Sequence, residues 1–511
     1  MPNLNQERLS GSIRNSGGNA AESSLLPVVP WTTATLEERE LQRLKEIVAG
    51  VVKREPALAA THAFGAQTRS GMSHHLWLVI GDTREIALTR VGHEVTFEYR
   101  LSLLAREGDI AVFGGAIHRD FERYRSQEIG LGPIVSINVR RFPSNPLLPL
   151  AERCLLDAAA FSQIVERTKR AGGLTIVPHI GTGSVWRLAA AVAEATGLEI
   201  WVASPPPRLT RRVNDKLWFA RLAAEVLGET ALPPTYAAYG PAVLADRIRS
   251  LARSAERVVV KVTDSAGAAG NVCLAAREVA DASLSDIKNR MLGVLRAAGW
   301  YNTYPLLVAV WEAPVLSSPS VQLWIPAITG GPPVIEGLFE QILEGEGGSF
   351  VGSVPAELPE RWQFRLAEDA MRLASALQFL GYFGRCSLDA LLVGQTLDSA
   401  ALHWIECNGR WGGVSIPMTI VNRLTGGWAK AKFVVVHHIE EGLPRRLFAD
   451  ALQALDEILF RRGRHEEGVI LLSPVEIEAG RGVQMVACAE TVAAARKLSD
   501  HALKILWGAS A

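Results

Sequence analysis

The stretch 402–417, LHWIECNGRWGGVSIP, constrains this chain more than any other. An apolar strand delivers a carboxylate and, two residues on, an amide. On an extended chain alternate side chains point the same way, so Glu406 and Asn408 share one face, and Arg410 joins them if the strand runs that far. A carboxylate beside an amide oxygen suits a hard cation such as magnesium. A guanidinium just beyond suits a phosphate or a carboxylate. Cys407 lies between the two ligand candidates, points to the opposite face and reads as core. The same residues also fit a plain strand end that turns into a glycine loop with a solvated Glu and Arg. The rest of the chain has to decide between these readings.

A chain of 511 residues is expected to hold two to four domains of roughly 100–200 residues. Apolar residues make up 48%, enough for large cores, and Lys plus Arg equals Asp plus Glu at 53 each. That balance gives no global field for nucleic acid or an anionic membrane, and neither is expected as a partner. The cysteines at 154, 273, 386, 407 and 488 form no CxxC pair. A disulfide framework or a zinc site is not expected, and a cytoplasmic location fits best. The opening MPNLNQERLSGSIRNSGG lacks the apolar segment of a secretory signal. No apolar run reaches the about 20 residues of a membrane-spanning helix.

Residues 1–34 are rich in Asn, Ser, Gly and Pro and read as a disordered tail. Residues 35–150 read as an N-terminal α/β region. It has a helix over 36–52, strands at 75–81, 94–101, 109–113 and 134–139, and an adjacent pair, His74 and His75, that would face opposite ways in a strand. From 151 to 210 a helix is followed by LTIVPHIGTGSVWRLAAAVAEATGLEIWVASPPP, a strand, glycine turn, helix and strand. Gly181 and Gly183 do not complete a dinucleotide fingerprint, because position 186 is Trp. His179 at that strand end reads as a structural histidine or a ligand contact.

Next comes RRVNDK, where Asn214 or Asp215 can cap the following helix and place Lys216 at its start. The run RVVVKVTDSAGAAGN puts Lys261 in a β-branched strand ahead of a small-residue loop. A lysine in an apolar strand needs a partner for its charge, and a glycine loop offers backbone N–H groups to phosphate oxygens. It is not a Walker A loop. Glu312 ends the apolar run LLVAVWE. The glycine-rich segment 330–353 reads as a mobile loop over a site, with a short helical piece near 334–343. Asp389 lies within the strand RCSLDALLV, and an antiparallel neighbour would bring it beside Glu406 and Asn408. The residues from 429 to 511 read as an α/β extension, with helices over 443–462 and 491–506.

This order of features resembles the ATP-grasp superfamily of ADP-forming carboxylate–amine ligases, roughly from Ala203 to Gly427. Within it the NDK entry, the VKVTDSAGAAGN loop and the α/β tail look most like the pheganomycin-type peptide ligases. The resemblance implies an α/β (α+β) architecture: a pre-ATP-grasp βαβ domain over 151–210, an ATP-grasp domain over 211–428 with two lobes hinged near 312, and the C-terminal extension. It implies ATP as substrate and magnesium, or alternatively manganese, as the metal. Lys216 and Lys261 would contact phosphates. Thr263, Ser265, Gly267, Gly270 and Asn271 would form the loop over the triphosphate, and Trp311 and Glu312 the adenine hinge. Asp389, Glu406 and Asn408 would hold the metal, and Arg410 would steady the transferred phosphate. The family's second acidic residue after the hinge is replaced by Ser317-Ser318-Pro319, which puts ribose recognition in doubt.

The implied reaction joins a small-molecule carboxylate to an amine through an acyl phosphate. Lys261 and Arg410 would act on the transferred group, in a protein that could be a homodimer. A carboxylase-like ligase, a nucleotide-binding protein without catalysis and an NAD-dependent oxidoreductase are the alternatives. No biotin-carrier motif is present, and the oxidoreductase rests on two glycines.

Overall fold

The computed structural model describes residues 26–508 except 33, 74–75, 87, 89–93, 267–268 and 346. Three sheets carry the architecture. The first comprises β1 (Thr68–Ser70), β2 (Leu76–Ile80), β3 (Ile110–Phe113), β4 (Val135–Asn138), β5 (Leu174–Pro178) and β6 (Ile200–Val202). It is parallel throughout, in the order β1-β6-β5-β2-β3-β4. Parallel strands covered on both faces read as unbroken apolar runs, and the sequences LWLVI, IAVF and LTIVP of β2, β3 and β5 are such runs. One face packs on the helix Gly183–Thr196 through Trp186, Leu188 and Val192. The other merges with the C-terminal strands in one core that holds Trp77 and Val79 together with Phe433 and Met485. Because β2 pairs with β5, one sheet runs across residue 150.

The second sheet is small and antiparallel, with β7 (Thr235–Ala238), β8 (Arg257–Val262), β9 (Asn271–Ala275) and β10 (Leu306–Val310) in the order β7-β10-β8-β9. The helices Pro241–Ala252 and Leu284–Ala297 cover it through Leu244, Ile248, Ile287 and Met291.

The third sheet has nine antiparallel strands: β11 (Val315–Ser317), β12 (Pro319–Ile325), β13 (Val334–Glu344), β14 (Ser349–Pro355), β15 (Gly384–Val393), β16 (Ala401–Asn408), β17 (Lys432–Ile439), β18 (Gly468–Leu471) and β19 (Gly482–Ala489). Its order is β11-β15-β12-β13-β14-β17-β19-β18, with β16 also paired to β15. Helices Glu38–Arg54, Lys216–Leu227 and Glu360–Phe379 close a core over it with Leu44, Phe219, Leu222, Leu373, Leu388 and Trp404. The strands after residue 429 extend this same sheet. Among the described residues no helix is long and apolar enough to cross a membrane.

Four expectations are corrected. Residues 94–101 form the helix Glu94–Ser102, not a strand. Thr96, Glu98 and Arg100 are buried there together with Tyr99 and Leu101, so alternation of polar and apolar residues marked no inner face. Residues 334–343 form β13 instead of a helix, because pairing with β12 and β14 overrides local composition. The glycine-rich part is the turn between β13 and β14, where Gly345 and Gly348 take φ of 73° and 66°. Of residues 443–462 only Phe448–Ala454 is α-helical. Pro444 is incompatible with a helix interior, and Leu459 bridges to Val469. Finally, residues after 25 in the expected tail are docked: Leu26 is buried, and the Trp31 N–H donates to the Ile335 carbonyl at 2.8 Å. Residues 1–25, His74, His75 and Gly267 lie outside the described residues.

The helix Lys216–Leu227 starts where it does because the Asp215 carboxylate accepts the N–H groups of Leu217 and Trp218 at 2.9 and 3.0 Å. An acidic N-cap satisfies orphan donors and complements the helix dipole. Asp215→Ala should lower stability by about 1 kcal/mol, read as an earlier denaturation midpoint. An unchanged midpoint would show that the cap is not what fixes this helix start.

Candidate active site

The cleft between the second and third sheets is a cavity of about 640 Å³. Its floor is built by β15 and β16. In their antiparallel register Asp389 lies directly opposite Glu406, and Ser387 opposite Asn408. The Asn408 amide reaches Asp389 Oδ2 at 2.8 Å and Glu406 Oε1 at 3.3 Å. Two carboxylates and an amide thus converge, as the strand periodicity requires. Cys407 faces the core behind them.

The two acids are in opposite electrostatic states. Burial, reinforced by the adjacent Glu406 charge, pushes Asp389 up to about 7, against hydrogen bonds from Ser320 and Gln341 and the pull of Arg410. The Ser320 hydroxyl donates to Asp389 Oδ1 at 2.6 Å. Burial also acts to raise Glu406, but Lys216, with Arg410 and Lys261, outweighs it and holds that carboxyl at about 2. Lys216 Nζ lies 2.9 Å from Glu406 Oε2 and donates to the Ser265 carbonyl at 3.0 Å. Lys261 enters from β8. Burial and the like charge of Lys216 lower its pKa, opposed chiefly by Glu406.

Among the described residues no three His, Cys, Asp or Glu side chains converge on a metal-sized site. The donor set here is two carboxylates and an amide, all oxygen donors suited to magnesium. The amide's oxygen and nitrogen are interchangeable by a simple flip. A pair of acids in which burial and mutual repulsion keep one near neutrality fits a cation.

Arg410 lies beyond the strand end and is fixed from the residues just ahead of the helix Lys216–Leu227. Its guanidinium bonds the Asn214 side-chain oxygen. Asn214 also accepts the Gly409 N–H at 3.1 Å and donates to the Gly409 carbonyl at 3.3 Å. A Cβ at Gly409 would collide with Val213, so only glycine permits this approach.

Of the other expected site residues, Ser265, Asn271, Trp311 and Glu312 line the same cavity. Asn271 donates across the cleft to the Gly347 carbonyl at 3.3 Å, which ties the small-residue loop to the β13–β14 turn. Glu312 pairs with His403 at 2.7 Å. Arg257 stacks over Trp311. Thr263 and Gly270 do not line it. The Thr263 carbonyl accepts the Lys216 N–H at 3.2 Å, and Gly270 leaves room for Ser265 and Val262. The sequence reading did not single out Glu340. It lines the cavity, accepts from Ser317 Oγ and, at 2.7 Å, from the Ser318 N–H. It therefore stands beside the serines found where an acid was sought. Only the β12–β13 pairing reveals it.

Residues 98–194 match the family model described as the Pre ATP-grasp domain. Biotin carboxylase from Campylobacter jejuni, in complex with β-γ-ATP, aligns over 86% of this chain and 92% of its own at 13% identity, with a TM-score of 0.54. The chain has the ATP-grasp fold, behind a pre-ATP-grasp domain. The biotin carboxylase domain of the Hydrogenobacter thermophilus 2-oxoglutarate carboxylase, a dimer with MgADP, ADP and bicarbonate, aligns over 85% and 90% at 12% identity, with a TM-score of 0.51. An ADP complex of N5-carboxyaminoimidazole ribonucleotide synthetase aligns over 86% and 96% at 12% identity and a TM-score of 0.50. Comparison with curated protein sequences finds no match. The matched pre-ATP-grasp residues begin well ahead of 151, and β3 and β4 belong to the same parallel sheet as β5 and β6.

The raised Asp389 carries a sign that can be checked. Its folded value of about 7 exceeds the ordinary 3.8, so the ligand-free protein loses stability as pH rises from about 4 through about 7. Asp389→Asn should stabilise the metal-free protein at pH ~8, by on the order of a few kcal/mol, and far less at pH ~5. Equal effects of the substitution at both pH values would contradict the assignment of a near-neutral Asp389.

Proposed function

We propose that this protein is an ATP-dependent, ADP-forming ligase that joins a carboxylate to an amine through an acyl phosphate. One observation carries the reading: Lys216, Lys261, Asp389, Glu406, Asn408 and Arg410 all line one cleft between two lobes. A carboxylate is a poor acylating agent because oxide is its leaving group. Phosphorylation replaces that leaving group with phosphate. Phosphoryl transfer depends on positioning and charge neutralisation more than on covalent help from protein.

Each residue then has a task. Lys216 and Lys261 bind phosphate oxygens, and Ser265 and Asn271 place the loop that shields them. Trp311 and Glu312 flank the nucleobase. Glu340 takes up the ribose recognition for which no acid follows the hinge in sequence. Asp389, Glu406 and Asn408 would hold magnesium, or manganese in its place, which would supply positive charge to offset that of the phosphates. Arg410, fixed by Asn214, faces the group in transfer. The tie between Asn271 and Gly347 supports a closed cleft from which water is kept off the acyl phosphate.

Within this class the finer reading is a peptide or amide ligase acting on amino acids or small peptides in natural-product biosynthesis. The fold likeness to two carboxylating enzymes favours a second reading, in which bicarbonate is the acid.

The test is a screen of acid and amine pairs with product detection by mass spectrometry and nucleotide analysis. ADP and phosphate should appear only when both partners are present, and AMP should not. Bicarbonate-dependent ADP release without an amide product would select the second reading, and AMP with pyrophosphate would refute both. Lys261→Met and Arg410→Met should each lower kcat by about 10²–10³-fold. Full turnover in either variant would remove that residue from the mechanism.

A further inference from the structure

The cleft continues past Arg410 into a region that nucleotide and metal do not explain. Arg100, on the helix Glu94–Ser102, lines it and is 1% exposed. Its Nε is buried and has no partner. Its Nη2 has one acceptor, the Gly413 carbonyl, at a long 3.4 Å. Among the described residues no carboxylate lies within ion-pair distance of it. Glu476 attracts it from farther off; its Oε1 accepts from Thr96 and Gln484, and its Oε2 is buried without a partner and outside ion-pair distance of Arg100. Burial lowers the Arg100 pKa only to about 10, so the guanidinium is charged at neutral pH. A buried cation with an orphaned donor is costly unless an anion completes it.

The surroundings narrow that anion. Phe97 lies against the guanidinium at 5.0 Å, and Phe350 and Trp411 line the same space, so the occupant has an apolar body. His179 feels the charges of both Arg410 and Arg100 and lines the same cavity as both. Its Nδ1–H donates to the Asp82 carbonyl at 3.1 Å, and the ring also meets the Trp411 backbone. Gln484 Oε1, also at the cavity, is buried without a partner and offers an acceptor for an N–H group. A planar guanidinium fork matches a carboxylate, and an acceptor at the same cavity matches the nitrogen of an amino acid or peptide.

We propose that Arg100 anchors a second, non-reacting carboxylate, so that one substrate is an amino acid or peptide held by its free carboxyl group. The anchored carboxylate belongs either to the amine-bearing substrate or to an acid with two carboxyl groups. This rests on the ligase reading, with Arg410 facing the carboxyl group that is activated.

The test separates the two claims by measuring binding without ATP. Thermal-shift titrations use the proteinogenic L-amino acids and succinate, each against its amide (the monoamide for succinate). At least one free acid should bind wild-type protein about ten-fold more tightly than its amide, which is what one charge-assisted hydrogen bond supplies. Preference confined to amino acids assigns the carboxylate to the amine substrate, and preference for succinate assigns it to the acid. Arg100→Met should abolish the preference. Arg100→Lys, which keeps charge but loses the fork, should retain only part of it and serves if the methionine variant does not fold. No preference in wild type, or full preference in both variants, overturns the subsite. An intact, Arg100-dependent preference with no ADP formed from any pair overturns the ligase reading and leaves the subsite standing.

Discussion

The contact between Lys216 and Glu406 is the one on which the cleft depends. It joins a helix start, the floor strand β16 and, through the Ser265 carbonyl, the loop after β8. Lys216 is nearly buried and Glu406 about a quarter exposed, so the pair is shielded but not cut off from the cavity. Removing one member of a fully buried pair leaves an uncompensated charge at a cost of about 3–5 kcal/mol, and the partial exposure here reduces that. The consequence is electrostatic as much as mechanical. With its charge secured by lysine, Glu406 stays ionised and adds to burial, the larger cause, in pushing Asp389 across the strand pair toward neutrality. On the proposed reading a divalent cation would resolve that conflict, and a triphosphate would bring phosphate oxygens to Lys216 and Lys261.

The layout divides labour among the sheets. The third sheet holds the acids. The second brings Lys261 and, just past β10, Trp311 and Glu312. The first meets the strand end, where the Trp411 N–H donates to the His179 carbonyl at 3.1 Å. Asn214 and Gly409 lock the turn that carries Arg410. The site is therefore assembled by contacts between units far apart in sequence, which explains why the stretch around Glu406 was ambiguous alone.

Much of this was legible. The pairing of Asp389 with Glu406 follows from period-two alternation and an antiparallel neighbour. The lysine in β8, the helix start at Lys216 and the βαβ unit around β5 and β6 were each marked by local chemistry. What was not legible depended on partners distant in sequence. Residues 334–343 are a strand because β12 and β14 flank them. Glu340 joins the cavity only through that pairing. Arg100 lies on a helix whose polar residues are buried against β2, β3 and the short helix Val475–Ala479, so alternation there pointed to a strand. The glycines at 345–348 mark a turn between strands, where composition suggested a loose loop.

The central claim is that a carboxylate is activated by phosphorylation in this cleft. It is tested most directly with a substrate carboxylate labelled with heavy oxygen, once the screen has found a reacting pair. An acyl phosphate collapses with its bridging oxygen leaving on phosphate. One labelled oxygen should therefore appear in the released inorganic phosphate, and the amide should keep the other. Both labelled oxygens remaining out of phosphate, or label recovered in AMP, would contradict the account.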